Sequence, residues 1–377
     1  MQKVLLRKFK FDNKEIVFNE GENYIIGPNA SGKTTIFYLI QYCLGLKKSM
    51  PRLVPLSFNY DLSLDVSFGN KLTHITRQFG SDNIIFDGDI RAKLKASSLS
   101  LGDIYNELLQ PNTDKDEDRM AAMEILKLAF RGENTSYQFK DSNIVKKVLG
   151  INVMLPIHIK KEIDNFKEEI ELENATKHTL QNYINRVEID LRNEKDKIND
   201  IEFIIKILDK QFIEICNEAI HKNRLLEEAV EFLHKVNSHN EELFLERTRI
   251  IQALFYQMTS EFGLTHNVNI GNIFDGKELT KYSGGEIILL NLVALIILCH
   301  FDEYDWHNGC GILINDAPLF EINKIFEDRY RKMVSDECKS KKLQYIEFGY
   351  NKKNIPEGAI VLDLNGKGGL YGKETFA

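Results

Sequence analysis

The chain has 377 residues, of which 43% are hydrophobic and 28% charged, and its formal net charge is −7. It contains no apolar run of 18 residues and no N-terminal cleavable signal, which excludes a membrane protein and predicts a cytoplasmic one. Its five cysteines form no C-x-x-C pair, so a disulfide framework and a zinc site are disfavoured. The acidic balance means that binding to nucleic acid would require a local basic patch.

The first 26 residues are predicted to form strands. Alternation of polar and apolar residues from Lys3 to Phe18, with a polar break at residues 12–14, indicates a hairpin. The apolar run Asn23–Ile26 predicts a buried strand that ends at Gly27. An apolar-rich segment, Thr34–Leu46, predicts a helix, so the order is strand, loop, helix.

The loop between that strand and that helix has the composition of a phosphate-binding loop. Its glycines allow backbone N–H groups to surround phosphates, Lys33 would reach the β- and γ-phosphates, and the Thr34 hydroxyl would ligate Mg²⁺. The sequence therefore predicts ATP and Mg²⁺ as ligands. The candidate residues are Gly27, Asn29, Ala30, Ser31, Gly32, Lys33, Thr34 and Thr35.

A second predicted hairpin follows the loop and its helix. Period-two alternation runs from Leu62 to Phe86 and is interrupted by the turn signal Gly69-Asn70. Residues 90–150 have a more helical composition, and no firm element is predicted there.

Residues 157–262, 106 in all, contain neither glycine nor proline, which is too long for one globular helix. Apolar residues recur alternately every four and three positions, which predicts a coiled coil. We favour an antiparallel hairpin on the order of 75 Å long over one long helix packed on a core. The polar stretch Arg192–Asp200 is the candidate tip, although the seam runs through it unbroken. The seam comprises Leu180, Ile184, Val187, Leu191, Glu194, Ile198, Ile201, Ile205, Leu208, Phe212, Ile215, Ala219, Leu226, Ala229, Leu233, Val236, Leu243, Ile250 and Leu254, with Lys222, Asn240 and Arg247 as polar exceptions.

The remainder of the chain returns to a mixed α/β pattern. It predicts a buried helix at Ile287–Cys299 and strands at Gly311–Asn315, Gln344–Phe348 and Ile360–Leu364. The ATPase domain is thus split in sequence by the arm.

Two further motifs lie in this part. The first, Tyr282-Ser283-Gly284-Gly285-Glu286, precedes the buried helix, where a serine hydroxyl and glycine amides could donate to a γ-phosphate; read alone, it is equally a helix cap. The second is the apolar strand that ends at Asp316, a position suited to a carboxylate beside Mg²⁺. Candidate residues are Ser283, Gly284, Gly285, Glu286 and Asp316.

Together these motifs resemble the ABC ATPase heads of the structural maintenance of chromosomes (SMC) superfamily, including RecN- and SbcC-like proteins. The closing segments Leu343–Ile346 and Leu370–Lys373 also resemble small coiled-coil ATPases of bacterial anti-phage systems. The resemblance implies an α/β P-loop head formed from both ends of the chain, with an inserted antiparallel coiled-coil arm. The corresponding domains are residues 1–155 (N-terminal lobe), 156–258 (arm) and 259–377 (C-terminal lobe).

The resemblance also implies a homodimer in which two ATP molecules are sandwiched between heads, each held by the loop of one subunit and Ser283 of the other. Hydrolysis would separate the heads, and the arm would transmit the change to double-stranded DNA or to a protein effector. No membrane partner is implied.

Two positions depart from the family pattern. The family has a glutamate after the strand-end aspartate, where it activates water, and this chain has Ala317. Hydrolysis should be weak unless another carboxylate such as Glu321 substitutes; a binding-only head, a divergent subfamily and a laboratory substitution all remain open. The switch histidine is missing, and Gln138 is the candidate for the glutamine that completes Mg²⁺ coordination.

Three functions compete. The first is a DNA-associated ATPase of genome maintenance or phage defence, and the second an ATP-dependent regulatory subunit that controls a protein effector through its arm without binding DNA. A transporter subunit is disfavoured, because such an ATPase would not carry a long coiled coil between its two motifs. The basic pairs, including Lys146-Lys147, are candidate phosphate contacts or solvated faces.

Overall fold

A computed structural model describes residues 1–11, 14–49, 61–112, 118–132, 142–193, 198–264, 268–274, 282–300, 304–318, 324–349, 355–356 and 358–364, and for 191–193 and 198–201 the backbone only. The chain forms two compact units, one of Met1–Asn152 with Phe244–Ala377 and the other of Val153–Leu243. The predicted domain boundaries at residues 155 and 258 stay a prediction. None of the helices in the described ranges is long and apolar enough to cross a membrane.

The first unit contains an antiparallel sheet of six strands in the order β2-β1-β4-β5-β6-β7. Both predicted hairpins are present, and the second turns between Phe68 and Lys71. The strands are β1 Val4–Phe11, β2 Lys14–Val17, β4 Asp61–Phe68, β5 Lys71–Gln78, β6 Asn83–Gly88 and β7 Ala92–Lys95.

A second sheet has five parallel strands in the order β11-β3-β10-β9-β8. Its strands come from both ends of the chain, as the sequence predicted, and the residues of the three middle strands are buried except the first residue of β3. They are β3 Glu22–Ile26, β8 Phe130–Arg131, β9 Ile312–Asp316, β10 Gln344–Gly349 and β11 Ile360–Asp363. The Gln344 side chain joins the sheets, because it accepts from the Leu6 N–H at 2.8 Å and donates to the Leu6 carbonyl at 2.9 Å.

Helices cover these sheets. α8 is apolar on nearly every side, which fits its complete burial from Leu289 onward. The helix after the loop ends at Cys43, three residues before its predicted end. The helices of this unit are α1 Lys33–Cys43, α2 Leu99–Leu109, α3 Ala121–Leu128, α4 Ser142–Val148, α7 Ile270–Phe274, α8 Gly284–Cys299 and α9 Lys324–Lys339.

The end of α1 is held by a buried arginine of β5. Arg77 donates to the carbonyls of Tyr42, Lys47 and Lys48 at 2.7–3.0 Å. Its guanidinium lies 3.4 Å from the centre of the Tyr42 ring. A charged group at the C-terminus of a helix complements the unpaired carbonyls there.

The second unit is an antiparallel pair of helices, α5 Met154–Asn193 and α6 Ile198–Ser260, the latter extending into the first unit. Lys177 lies beside Phe212, whereas Lys222 lies beside Glu173, so residue numbers fall on one helix as they rise on the other. The less exposed residues of the described part follow the predicted seam. The helices end and begin inside the candidate tip, Arg192–Asp200.

The first arm helix is shorter than the predicted arm length. α5 has 40 residues, which corresponds to about 60 Å rather than 75 Å. The difference arises because the prediction divided all 106 residues equally between two paired helices. In the structure α6 is longer than α5, and its residues from Phe244 onward belong to the first unit.

A stacked pair of aromatic residues lies beside the part of α6 that belongs to the first unit. Trp306 stacks on Tyr304 with ring centres 5.1 Å apart, and Arg247 of α6 lies 5.4 Å from the Trp306 ring. Arg247 also donates to the Leu149 carbonyl at the end of α4. These contacts connect α6 to the segment that precedes β9.

Candidate functional site

The predicted phosphate-binding loop connects β3 to α1 through two residues in the left-handed region. Ala30 has φ 59° and Gly32 has φ 95°. The Gly27 N–H donates to the Gly349 carbonyl at the end of β10, at 3.3 Å. The loop therefore starts at the carboxyl edge of the parallel sheet, where ligands of open α/β folds bind.

The side chain of Lys33, the first residue of α1, folds back against this loop. Its side chain is 5% exposed, and Nζ donates to the carbonyls of Gly27 at 2.6 Å and Pro28 at 2.7 Å. Ser31 Oγ is buried and has no hydrogen-bond partner among the residues described. A Cβ at Gly27 would lie 2.6 Å from Ser31 Oγ, so the backbone must approach closely there. An ammonium, a spare hydroxyl and the N-terminus of an 11-residue helix fit a phosphate group.

Asp316 reaches the same edge of the sheet. Because β10 pairs with both β3 and β9, Phe348 is level with Ile25 on one side and with Asp316 on the other. Asp316 is 1% exposed, and Thr34 is half-buried at the start of α1. β3 and β9 are two strand spacings apart, about 10 Å. Thr34 and Asp316 are thus the described residues that could hold Mg²⁺ beside a phosphate.

Ala317 has an unusual backbone conformation. Its φ is 51°, in the left-handed region, and its N–H donates to the Phe348 carbonyl at 2.9 Å. Its methyl group offers no acid or base. The sequence did not reveal this conformation, because alanine gives no signal for a positive φ.

The residues Ser283–Glu286 form a capping box at the start of α8. Ser283 Oγ accepts from the Glu286 N–H at 3.4 Å, and Glu286 Oε2 accepts from the Ser283 N–H at 2.8 Å. Within the chain, this motif therefore acts as the N-terminal cap of α8, which is the helix-cap interpretation given above. Ser283 and Gly284 are exposed, and apart from its chain neighbours and its own helix backbone no atom of the described residues lies within 4 Å of a Cβ placed on Gly284.

A buried ion pair supports the strand between the two halves of the site. Arg331 of α9 donates to Glu347 of β10 at 2.9 Å, and the Tyr345 hydroxyl donates to the same carboxylate at 2.8 Å. The next two residues of β10 accept from Ala317 and Gly27. Burial, then the negative charge of Glu347, raises the pKa of Tyr345. Sequence reasoning missed this network, because its members lie far apart in the chain.

Other predicted site residues are elsewhere. Gln138 and Glu321 fall outside the described residues. Lys147, a candidate phosphate contact, is buried and pairs with Asp118 at 2.7 Å and with Glu124. Burial opposes its charge, but hydrogen bonds to these two carboxylates raise its pKa overall. Lys147 is therefore part of the core.

Comparisons with known proteins agree with this fold. A family model described as an AAA domain matches residues 6–243. The Smc head domain with a coiled coil and joint from Pyrococcus yayanosii is 11% identical, with 92% of each chain covered and a TM-score of 0.56.

A second solved structure, the Smc head domain with an extended coiled coil bound to the C-terminal domain of ScpA from Pyrococcus furiosus, is 14% identical. It covers 92% of this chain and 90% of its own, with a TM-score of 0.52. No curated protein sequence matches significantly. The predicted fold class, an α/β P-loop head with a coiled-coil arm, is confirmed; the anti-phage resemblance stays a prediction.

Proposed function

The chain belongs to the AAA domain family, and from this premise we propose that it is an SMC-like ATPase head that dimerises on ATP. Family membership implies nucleotide binding, and the loop with Lys33 supports ATP as the nucleotide. In this proposal, the loop amides and Lys33 hold the β- and γ-phosphates, while Thr34 and Asp316 hold Mg²⁺. Bound ATP supplies the negative charge that a second head recognises.

The observation that carries the proposal is the exposure of Ser283 and Gly284. Among the described residues, no packing contact requires glycine at 284, since a Cβ there would meet no atom of theirs within 4 Å. The α8 N-terminus ends 16 residues of aligned peptide dipoles. The Glu286 carboxylate accepts from the Ser283 N–H and hydroxyl there, so in this proposal the phosphate displaces that carboxylate or binds the N–H groups of Gly284 and Gly285. A γ-phosphate on the loop of a second copy is a ligand of matching charge, and glycine permits its close approach.

The dimer is tested by sedimentation velocity with and without ATP and Mg²⁺. We expect a monomer without nucleotide and a dimer with ATP. Gly284→Asp should abolish the dimer, because its carboxylate repels phosphate while remaining compatible with the helix N-terminus. The matched control is Ser98→Asp at the N-cap of α2, which adds the same charge at another helix N-terminus and should dimerise normally. A Gly284→Asp protein that dimerises like wild type contradicts the proposal.

Position 317 decides how long ATP is held. With alanine there, no side chain at this position can take the proton from water, so we propose slow hydrolysis. Ala317→Glu should raise the ATPase rate at saturating ATP by about 10²-fold, the low end for general-base catalysis. The double variant Ala317→Glu/Lys33→Ala serves as the control for contaminating activity. Equal rates for Ala317 and Ala317→Glu would refute this role.

We further propose that the nucleotide state governs binding to double-stranded DNA in genome maintenance or defence. Gel-shift titrations of duplex DNA with and without ATP, at stated salt, test this because phosphate contacts are salt-dependent. ATP-dependent binding that Gly284→Asp abolishes is the expected result. Absence of binding in every nucleotide state would leave the second candidate, a regulatory subunit acting on a protein through the arm.

A further inference from the structure

The arm carries a groove that contains none of the residues of the proposed ATP site. It has a volume of about 690 Å³ and lies between α5 and α6. Leu180 and Ile215, two half-buried seam residues, line it together with the exposed Thr176, Thr179 and Tyr183. Because threonine is short, the side of the seam is open at this level.

Exposed apolar residues extend the groove in both directions. Leu172 precedes Thr179 by seven residues, and Ile207 precedes Glu214 by seven, so each lies on the same side of its helix as a groove residue. Leu172 is 69% exposed, Ile207 45% and Tyr183 59%. Exposed apolar residues that form a continuous stripe mark interaction surfaces, whereas isolated ones do not.

The α6 rim of the groove is acidic. Glu214 and Glu218 line it, one turn apart, and both are exposed. Glu214 Oε1 also lies 3.9 Å from Lys210 Nζ, one turn earlier on α6 and outside the groove lining. The α5 side of the lining is uncharged, so a second copy on this face would bring either glutamates or uncharged residues, and no cation, to the α6 rim. The charge therefore favours an occupant that is basic where it meets α6.

We propose that this groove docks an amphipathic helix of a partner protein, with apolar residues against Leu180 and Ile215 and basic residues against Glu214 and Glu218. A third helix would convert the two-helix arm into a three-helix bundle and cover the stripe from Leu172 to Tyr183, 12 residues or about 17 Å. The proposal is independent of the ATP site.

A pair of synthetic peptides tests it. Both have about three heptads with leucine and isoleucine at seam positions; one has lysine at the flanking positions and the other glutamate. Their binding to the full-length, nucleotide-free chain is measured by fluorescence anisotropy. The lysine peptide would form two exposed ion pairs with Glu214 and Glu218, whereas the glutamate peptide would place like charges there. We therefore expect the lysine peptide to bind on the order of tenfold more tightly.

Two double variants separate this groove from general charge. Glu214→Lys/Glu218→Lys should reverse the preference, so that the glutamate peptide binds more tightly. Glu188→Lys/Glu227→Lys, at exposed positions off the groove, should leave the preference unchanged. Thr179→Trp should weaken both peptides by filling the groove.

Three results would overturn the proposal. They are no binding of the lysine peptide, equal binding of both peptides, and an unchanged preference in Glu214→Lys/Glu218→Lys with normal helicity. Concentration-dependent self-association of the free chain that Thr179→Trp abolishes would identify a second copy as the occupant instead. None of these outcomes bears on ATP-dependent dimerisation.

Discussion

Arg77, a buried arginine of β5, contacts the C-terminal end of α1. Arg77 is 1% exposed; Nε donates to the Ser81 carbonyl after β5, and its other hydrogen bonds go to carbonyls at the end of α1 and in the segment after it. Because α1 begins at Lys33, the arginine fixes the far end of the helix that starts at the phosphate-binding loop.

Arg77→Leu should lower the free energy of unfolding by about 3 kcal/mol, because it removes the donor that links the carbonyls of Tyr42, Lys47 and Lys48. Urea denaturation followed by circular dichroism measures this. Arg91→Leu, at an exposed ion pair with Asp87, is the control and should change stability by less than about 0.5 kcal/mol. Equal stability of the two variants would show that the carbonyls find other donors.

Ala317 adopts a backbone conformation that favours glycine. A left-handed residue with a Cβ costs about 1–2 kcal/mol, part of which glycine returns through its greater freedom in the unfolded chain. We expect Ala317→Gly to stabilise the protein by about 0.5–1 kcal/mol in urea denaturation. Ala175→Gly on the arm, an exposed helical site, should instead destabilise it by about 1 kcal/mol. Destabilisation by both changes would contradict the left-handed conformation at 317.

The five cysteines differ in reactivity. Burial raises the pKa of Cys43 and of Cys338 to about 12, so both thiols stay protonated at pH 8. Cys299 and Cys310 are also buried, whereas Cys216 on α6 is half-exposed.

Titration of the native protein with a chromogenic disulfide at pH 8 should therefore show one fast thiol. The remaining four should react only after unfolding. Cys216→Ser should remove the fast phase; a fast phase that persists in this variant would mean that a buried thiol is accessible.

Among elements, the arm depends on one polar position of its seam. Lys222 donates to Glu173 at 2.5 Å and to Glu169 at 2.9 Å across the helix pair. A buried or half-buried charge in a coiled-coil seam sets the register, because any slip separates it from its partners. The polar exception noted in the sequence is thus a register device.

Lys222→Glu should lower the melting temperature of the arm by a few degrees, because three carboxylates would then face one another. Circular dichroism at 222 nm measures this, and high salt should restore part of the loss. Lys235→Glu, off the seam beside Glu231, is the control. A melting temperature as low as that of Lys222→Glu in this control would assign the effect to helix charge alone.

At the scale of the whole molecule, the second unit is inserted in the sequence of the first, and the two ends of the first unit on either side of this insertion lie next to each other. Arg247 donates to Leu149, and Lys146 lies 5.8 Å from the Phe244 ring, so the two cut ends of this unit adjoin. Replacement of residues 153–243 by a short Gly/Ser linker should leave it folded.

That shortened protein should unfold cooperatively and bind ATP within about threefold of the wild-type affinity, as measured by calorimetry. It should lose the peptide binding described above. Loss of folding would show that the arm contributes stability that the contacts of the first unit do not reveal.

The sequence predicts the features whose residue pattern repeats within a single strand or helix. Strand alternation predicts both hairpins, and the four-three spacing predicts the seam, because each pattern repeats within one element. The order β3-β10-β9 is not predictable in this way, since β3 lies about 300 residues from the other two strands and the pairing depends on the core as a whole. Burial of Lys147 and Arg77 escapes sequence reasoning for the same reason, because their partners come from other elements.

The stack at Tyr304 and Trp306 has a practical consequence. Trp306 is the sole tryptophan of the chain, so its emission reports from one place, beside Arg247 of α6 and ahead of the strand that ends at Asp316. A nearby guanidinium and a stacked phenol both influence indole emission. Intrinsic fluorescence of the unlabelled protein can therefore follow, in real time, whether ATP changes the environment where α6 meets the head.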